Sequence, residues 1–239
     1  MGRRLFSGDG VAPARPATAR VLDRLGIELF EADKAGCCGA VRFHLNDPEP
    51  AKDDMRRNID AWWPHIEAGV EAIVVSASGC GVQVRDYGHI LADAAVYSEK
   101  AAKISDLCRD PAEVLLAEKA ALITALAQRA APRGKLAFHS PCTLQHGLKV
   151  RGVVEELLTA AGYELTPVAD SHLCCGSAGT YSVLQPEIAG KLRDNKLAAL
   201  HAGLPAVIAT ANIGCLTHLQ SGSETPVRHW IELIDEILS

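Results

Sequence analysis

Hydrophobic and polar positions along this chain follow two alternating periods. The second half is the easier to read. Lys135–His139 is a short apolar-rich run leaving the Pro132-Arg133-Gly134 turn, and it predicts a strand. Over residues 150–161, Val153, Val154, Leu157, Leu158 and Ala161 recur at helical spacing, with Gly162 as a stop. Residues 163–168 predict a second strand. Pro186 opens a helix, at a position where a missing N–H costs nothing, with Ile188, Leu192 and Leu200 as its core face and Gly203 at its end. Residues 206–210 read as a buried strand and 230–238 as a final helix.

The first half repeats this order. Strands are predicted near residues 4–6, 27–30 and 72–75, and helices near 17–25 and 51–68, the longer one turning Met55, Ile59, Trp62, Trp63 and Ile66 inward. Residues 92–130 are extra, two helical stretches without a counterpart. Strands alternating with helices predict an α/β protein of two pseudo-symmetric halves, each a small parallel sheet flanked by helices. The boundary is expected between a first domain, 1–131, and a second, 132–239.

The sequence itself carries the duplication. Gly26-Ile27-Glu28-Leu29 matches Gly162-Tyr163-Glu164-Leu165, and Cys37-Cys38-Gly39 matches Cys174-Cys175-Gly176. Gly79-Cys80 then falls on Gly214-Cys215 after one residue of slip. Forty-one residues separate Cys38 from Cys80, and thirty-nine separate Cys175 from Cys215.

Composition narrows the function. A net charge of −5 without a Lys/Arg run argues against nucleic-acid binding. No apolar run reaches the roughly 18–20 residues of a membrane span, and Arg3-Arg4 is not followed by an export-signal core. A cytoplasmic protein is expected, and eight cysteines are then unusual, because disulfides rarely persist in a reducing compartment.

In the second half Cys142 lies just past the first predicted strand, Cys174-Cys175 past the second and Cys215 past the third. C-terminal strand ends of a parallel sheet converge on one crevice, so the four thiols can meet. Four thiolates suit iron or zinc. The adjacent pair favours an iron–sulfur cluster over one zinc ion, because successive side chains splay apart, and the following glycine lets backbone approach bulky sulfides. Zinc is the alternative, with His146, His172 and His218 near the thiols and Cys215-x-x-His218 at ligand spacing. The first half has only Cys37, Cys38 and Cys80. Its first cysteine is expected near Gly10, where none stands, so this incomplete second site needs an outside ligand such as Asp9 or His44. Cys108, on one of the extra helical stretches and with no counterpart cysteine in the repeat, is expected to be ordinary packing. Gly8-x-Gly10 lacks the third glycine of a dinucleotide loop, and a His139–Cys142 nucleophile pair leaves the duplicated spacing unexplained. The remaining histidines are expected at the surface or behind the ligands.

These motifs resemble the cysteine-rich (CCG) domain family, which includes a heterodisulfide reductase component, lactate-utilisation proteins and the glycolate oxidase iron–sulfur subunit. The likeness is to the C-terminal part of the last, through the stretch from Cys174 to Tyr181, Leu184-Gln185-Pro186-Glu187, Asn212-Ile213-Gly214-Cys215 and Pro226-Val227-Arg228-His229-Trp230. The family's first cysteine is absent near Gly10, and the ferredoxin-like region that usually begins that subunit is not present, so the chain is expected to be a separately encoded or truncated form. The resemblance implies an electron-transfer subunit with a 4Fe-4S type cluster that binds no substrate itself. Its partners would be the flavoprotein subunit of a 2-hydroxy-acid dehydrogenase and a separate ferredoxin-like subunit or domain, with a quinone or other acceptor beyond. Peripheral association with the inner face of the cell membrane would come through those partners. Two other classes stay open: a cluster-based thiol/disulfide oxidoreductase like the heterodisulfide reductases, and a non-catalytic zinc-stabilised module.

Overall fold

A computed structural model describes residues 3–8, 14–129 and 131–239. The chain forms two compact units, Met1–Pro111 and Ala112–Ser239. The sequence repeat puts the boundary at 131/132; the units divide earlier because a helix at Lys119–Ala127 packs with the second half.

The first unit runs β1 (Arg3–Ser7), α1 (Arg15–Asp23), β2 (Ile27–Glu31), α2 (Ala40–His44), α3 (Pro48–Glu67), β3 (Ile73–Val74), α4 (Ser78–Arg85), α5 (Tyr87–Ile90), α6 (Ser98–Leu107) and β4 (Cys108–Arg109). Its sheet is parallel throughout, in the order β2-β1-β3-β4. The predicted spacing of α3 holds for Met55, Ile59 and Trp62, which are fully buried with Phe6, Ile73 and Tyr87. Trp63, expected inward, lies half-buried at the helix edge, where its indole N–H donates to Glu67.

After α7 (Pro111–Ala117), the second unit continues with α8 (Lys119–Ala127), β5 (Lys135–His139), a π-helical turn at Thr143–Gly147, α9 (Val153–Ala160), β6 (Glu164–Leu165), α10 (Tyr181–Leu184), α11 (Pro186–His201), β7 (Val207–Thr210), α12 (Ile213–Gln220), β8 (Val227–His229) and α13 (Trp230–Leu238). Its parallel sheet has the same order, β6-β5-β7-β8. The segment rich in α9's valines and leucines buries Val154, Leu157 and Leu158 as predicted. On α11 the core face is Ala189, Leu197 and Leu200, together with Lys196; Ile188, expected to be core, is 49% exposed.

Each sheet has a fourth strand that periodicity did not predict. β4 and β8 are two and three residues long, too short to show alternation. β8 ends in a capping box: His229 Nδ1 accepts from the Ile231 N–H, and the His229 N–H donates to Glu232. This accounts for the His229-Trp230 motif as a helix start, behind which Trp230, Ile231, Leu233 and Ile234 are buried. Among the described residues, no helix is long and apolar enough to cross a membrane.

Candidate functional site

In an open parallel sheet, a crevice opens where consecutive connections leave a strand end in opposite directions. In the second unit that point lies between β5 and β7, which pair over Leu136–Val207 to His139–Thr210. Cys142 stands three residues beyond the end of β5, and Cys215 lies in the first turn of α12, directly after β7. Cys174 and Cys175 arrive on the loop that follows β6. The thiols meet in series: Cys142 with Cys174, Cys174 with Cys175, and Cys175 with Cys215. Cys175 and Cys215 are buried, whereas Cys142 and Cys174 are half-exposed. The group therefore has a dry inner side and an outer side near solvent.

Crowding splits the ionisation of the four. Hydrogen bonds from Cys142 and Cys175 hold the Cys174 thiol far below the usual thiol range. Cys142 is pushed up by its bond to Cys174 and by burial, and Cys175 by its bonds to Cys174 and Cys215 and by burial. Cys215 is lowered by its contact with Cys175, against burial and with help from His139. Thiols this close cannot all ionise unless a cation joins them.

Polar side chains fix the three ligand segments to one another. Gln145, in the π-helical turn, donates to the carbonyls of Ser140 (2.9 Å) and Ser171 (3.2 Å), tying the Cys142 loop to the Cys174 loop. Asn212 caps α12 by accepting from the Gly214 N–H at 3.0 Å, and it donates to Thr143 Oγ1 at 3.3 Å, tying Cys142 to Cys215. Lys196, only 3% exposed, donates to the carbonyls of Asp170 (2.8 Å) and Ser171 (3.4 Å). Burial lowers its pKa, opposed by the negative potential of Cys175, Asp170 and Cys174.

The Cys-Cys-Gly glycines have a nearer reason than room for sulfides. Gly176 sits at φ +90°, and a Cβ there would lie 2.5 Å from the Ala189 carbonyl oxygen of α11. Gly39 repeats this at φ +85°, 2.8 Å from the Ala51 carbonyl of α3. In both halves the pair is followed by a close approach of loop to helix.

The first unit builds the same loop around three thiols. Cys37 meets Cys38, and Cys38 meets Cys80. Cys37 is pushed up by Cys38 and by burial; Cys38, lowered by Cys37 but raised more by Cys80 and burial, stands at about 12. Asn58 does here what Lys196 does in the second unit. Its amide accepts from the Gly36 N–H (2.8 Å) and donates to the Cys37 carbonyl (2.8 Å), while Tyr87 donates to the Cys38 carbonyl (2.9 Å). Asn58→Ala is expected to destabilise the protein by about 2 kcal/mol, because the buried loop groups lose their partners; urea unfolding followed by near-UV circular dichroism measures it. His44, considered as an outside ligand, is exposed on α2, and Asp9 and Gly10 lie outside the described residues. Cys108 is packing, as expected, but on β4 rather than a helix; its thiol is 1% exposed and reaches the Gly81 carbonyl at 3.7 Å.

The histidines correct the sequence reading. His146 lies beside Arg151, His218 reaches the Ala189 carbonyl, and His172 is exposed. The histidine that does join thiols among the described residues is His139, whose ring lies with the Cys175 and Cys215 sulfurs, all within 4.8 Å of one another. Of the residues that hold the ligand loops, Lys196, Asn58 and Gln145 do not stand out in the sequence. Asn212 alone leaves a signal there, as a polar residue ahead of a turn carrying Gly214-Cys215.

The profile of a family described as a cysteine-rich domain, CCG, matches residues 9–85 and 136–220. The chain is 54% identical over 224 residues to the glycolate oxidase iron-sulfur subunit of Escherichia coli (strain K12), covering 93% of this chain and 53% of that one. It is 30% identical over 222 residues to the probable glycolate oxidase iron-sulfur subunit of Bacillus subtilis (strain 168), covering 89% and 47%. It is 27% identical over 205 residues to lactate utilization protein A of Bacillus licheniformis, covering 85% and 82%. The chain thus spans about half the length of the two glycolate oxidase subunits.

Proposed function

The chain belongs to the cysteine-rich (CCG) domain family, and from that membership we propose that it is the iron–sulfur electron-transfer part of a flavin-dependent 2-hydroxy-acid dehydrogenase of the glycolate type. The observation that carries this reading is the convergence of Cys142, Cys174, Cys175 and Cys215 at one strand-end crevice, with one side dry and one near solvent. The donor set fits the group. Four soft sulfur donors are present, and the loops that carry them are cross-tied by Gln145, Asn212 and Lys196. Bound there, a 4Fe-4S type cluster supplies one-electron exchange. The protein's own residues hold the thiols at fixed spacing, exclude water from Cys175 and Cys215, and leave the Cys142–Cys174 edge accessible.

In this reading a flavoprotein partner oxidises the hydroxy acid, and electrons pass on to a quinone or other acceptor, with a ferredoxin-like subunit or domain alongside. The names of the E. coli and B. subtilis relatives support it. So do the exposed apolar residues that flank the pair along the chain, Leu173 at 49%, Val183 at 76% and Leu184 at 60%, a surface of the kind a partner covers. Cys37, Cys38 and Cys80 form an incomplete second site. The deciding experiment is anaerobic purification with iron, sulfide and zinc counting, together with visible and EPR spectra. Iron and sulfide in matched amounts, with a broad visible absorption, is the expected result. Colourless protein with stoichiometric zinc and no sulfide would replace this reading with the zinc-stabilised module.

A further inference from the structure

We infer that, once the second-half site is loaded, His139 donates a ring N–H to the sulfur of Cys215 and so sets the reduction potential of the group that the thiols hold. This rests on the iron–sulfur reading above. His139 is the last residue of β5 and pairs in register with Thr210, the last residue of β7, just ahead of the helix that carries Cys215. It is 2% exposed, and neither ring nitrogen has a hydrogen-bond partner among the described residues. A buried imidazole without partners costs free energy unless something at the site completes it. The candidates within reach are the sulfurs of Cys175 and Cys215, both within 4.8 Å. Cys215 is favoured because it lies in the first turn of the helix after β7, the strand whose Thr210 pairs with His139, and a ligating cysteine is a thiolate, the form that accepts an N–H.

Hydrogen bonding rather than ligation follows from the second nitrogen. A histidine bound to metal through one nitrogen ordinarily donates the other N–H to a carbonyl or carboxylate, which holds the ring. Whichever nitrogen of His139 bound a metal, the other would have no such partner among the described residues. As a neutral donor to sulfur, the ring needs only one partner for its single N–H. The duplication supports the assignment. At the end of β1, the strand corresponding to β5, stands Ser7, buried and paired with Val74. The half that has four cysteines therefore has the histidine, and the half with three does not.

Hydrogen bonds to cluster sulfurs favour the reduced, more negative state, so the N–H raises the potential. The full chain is reconstituted anaerobically with iron and sulfide as wild type, His139→Leu and His139→Gln, and each is titrated potentiometrically with EPR detection. The potential of His139→Leu is expected to fall relative to wild type at equal iron content, and His139→Gln, which keeps an N–H donor, to recover part of the shift. Pulsed EPR of wild type labelled with ¹⁵N-histidine is expected to show one weak nitrogen coupling that His139→Leu abolishes. Equal potentials in wild type and His139→Leu overturn the inference, as does a coupling of the strength of a metal-bound nitrogen. Should His139→Leu fail to hold iron, the wild-type coupling decides alone. A wild-type protein that takes up neither iron nor sulfide overturns the iron–sulfur reading and this inference with it, whereas a loaded protein with unchanged potentials overturns this inference only.

Discussion

Serine at Cys175 or Cys215 is expected to reduce cluster-bound iron and sulfide in the second-half site to background, and with them the main visible and EPR signals. A hydroxyl is nearly isosteric with a thiol, but it is a hard donor that does not ionise near neutral pH, so it replaces a soft thiolate poorly. Both positions are buried, at 1% and 5% exposure, so water cannot take over as a ligand without opening the loop. The fold bears little of the loss. An unpartnered buried hydroxyl costs about 1–3 kcal/mol, within the 5–15 kcal/mol by which domains are usually stable. Alanine at the same positions separates the effects, since it removes the ligand without burying a hydroxyl. Serine at Cys37, Cys38 or Cys80 should leave the main spectrum intact and remove at most a weaker second signal. If those substitutions erase the main spectrum while Cys175→Ser and Cys215→Ser keep it, the first unit is the principal site and the assignment is reversed.

Much of this arrangement is legible in the order of residues alone, and the reason is duplication. Two copies of Cys-Cys-Gly with matched downstream cysteines define the halves, and the alternation of strands and helices then places the Cys142, Cys174-Cys175 and Cys215 segments after strand ends, where the structure has them. The groups that hold the ligand loops are not legible. Lys196 reads as a solvated helix residue by type, yet α11 turns it inward to two loop carbonyls. At the corresponding place on α3 stands Asn58, with neither the same charge nor the same side-chain shape, so comparison of the halves hides their common role. His139 is visible beside Cys142 but cannot be linked to Cys215, because that contact depends on the pairing of β5 with β7 across seventy residues of sequence. The short edge strands β4 and β8 escape because two or three residues carry no period.

The glycine of the second Cys-Cys-Gly is where sequence and structure give different reasons for one residue, and substitution separates them. Gly176→Ala is expected to destabilise the protein by about 3 kcal/mol or more, measured by chemical denaturation of metal-free protein. A left-handed backbone costs a non-glycine residue about 1–3 kcal/mol, and the new methyl would lie 2.5 Å from the Ala189 carbonyl oxygen and 3.1 Å from Leu192 Cβ. The Ala189 carbonyl has little freedom to retreat, since it belongs to α11 and also meets His218 Nε2 at 3.2 Å. Gly39→Ala should behave alike against Ala51. Gly190→Ala supplies the contrast: in the same helix, with nothing within 4 Å of the added carbon, it should stabilise by up to about 1 kcal/mol. Loss of stability without metal ties Gly176 to the loop–helix contact. Unchanged metal-free stability together with lost iron would restore the other reason, room for bulky sulfides, because only the loaded site would then feel the methyl group.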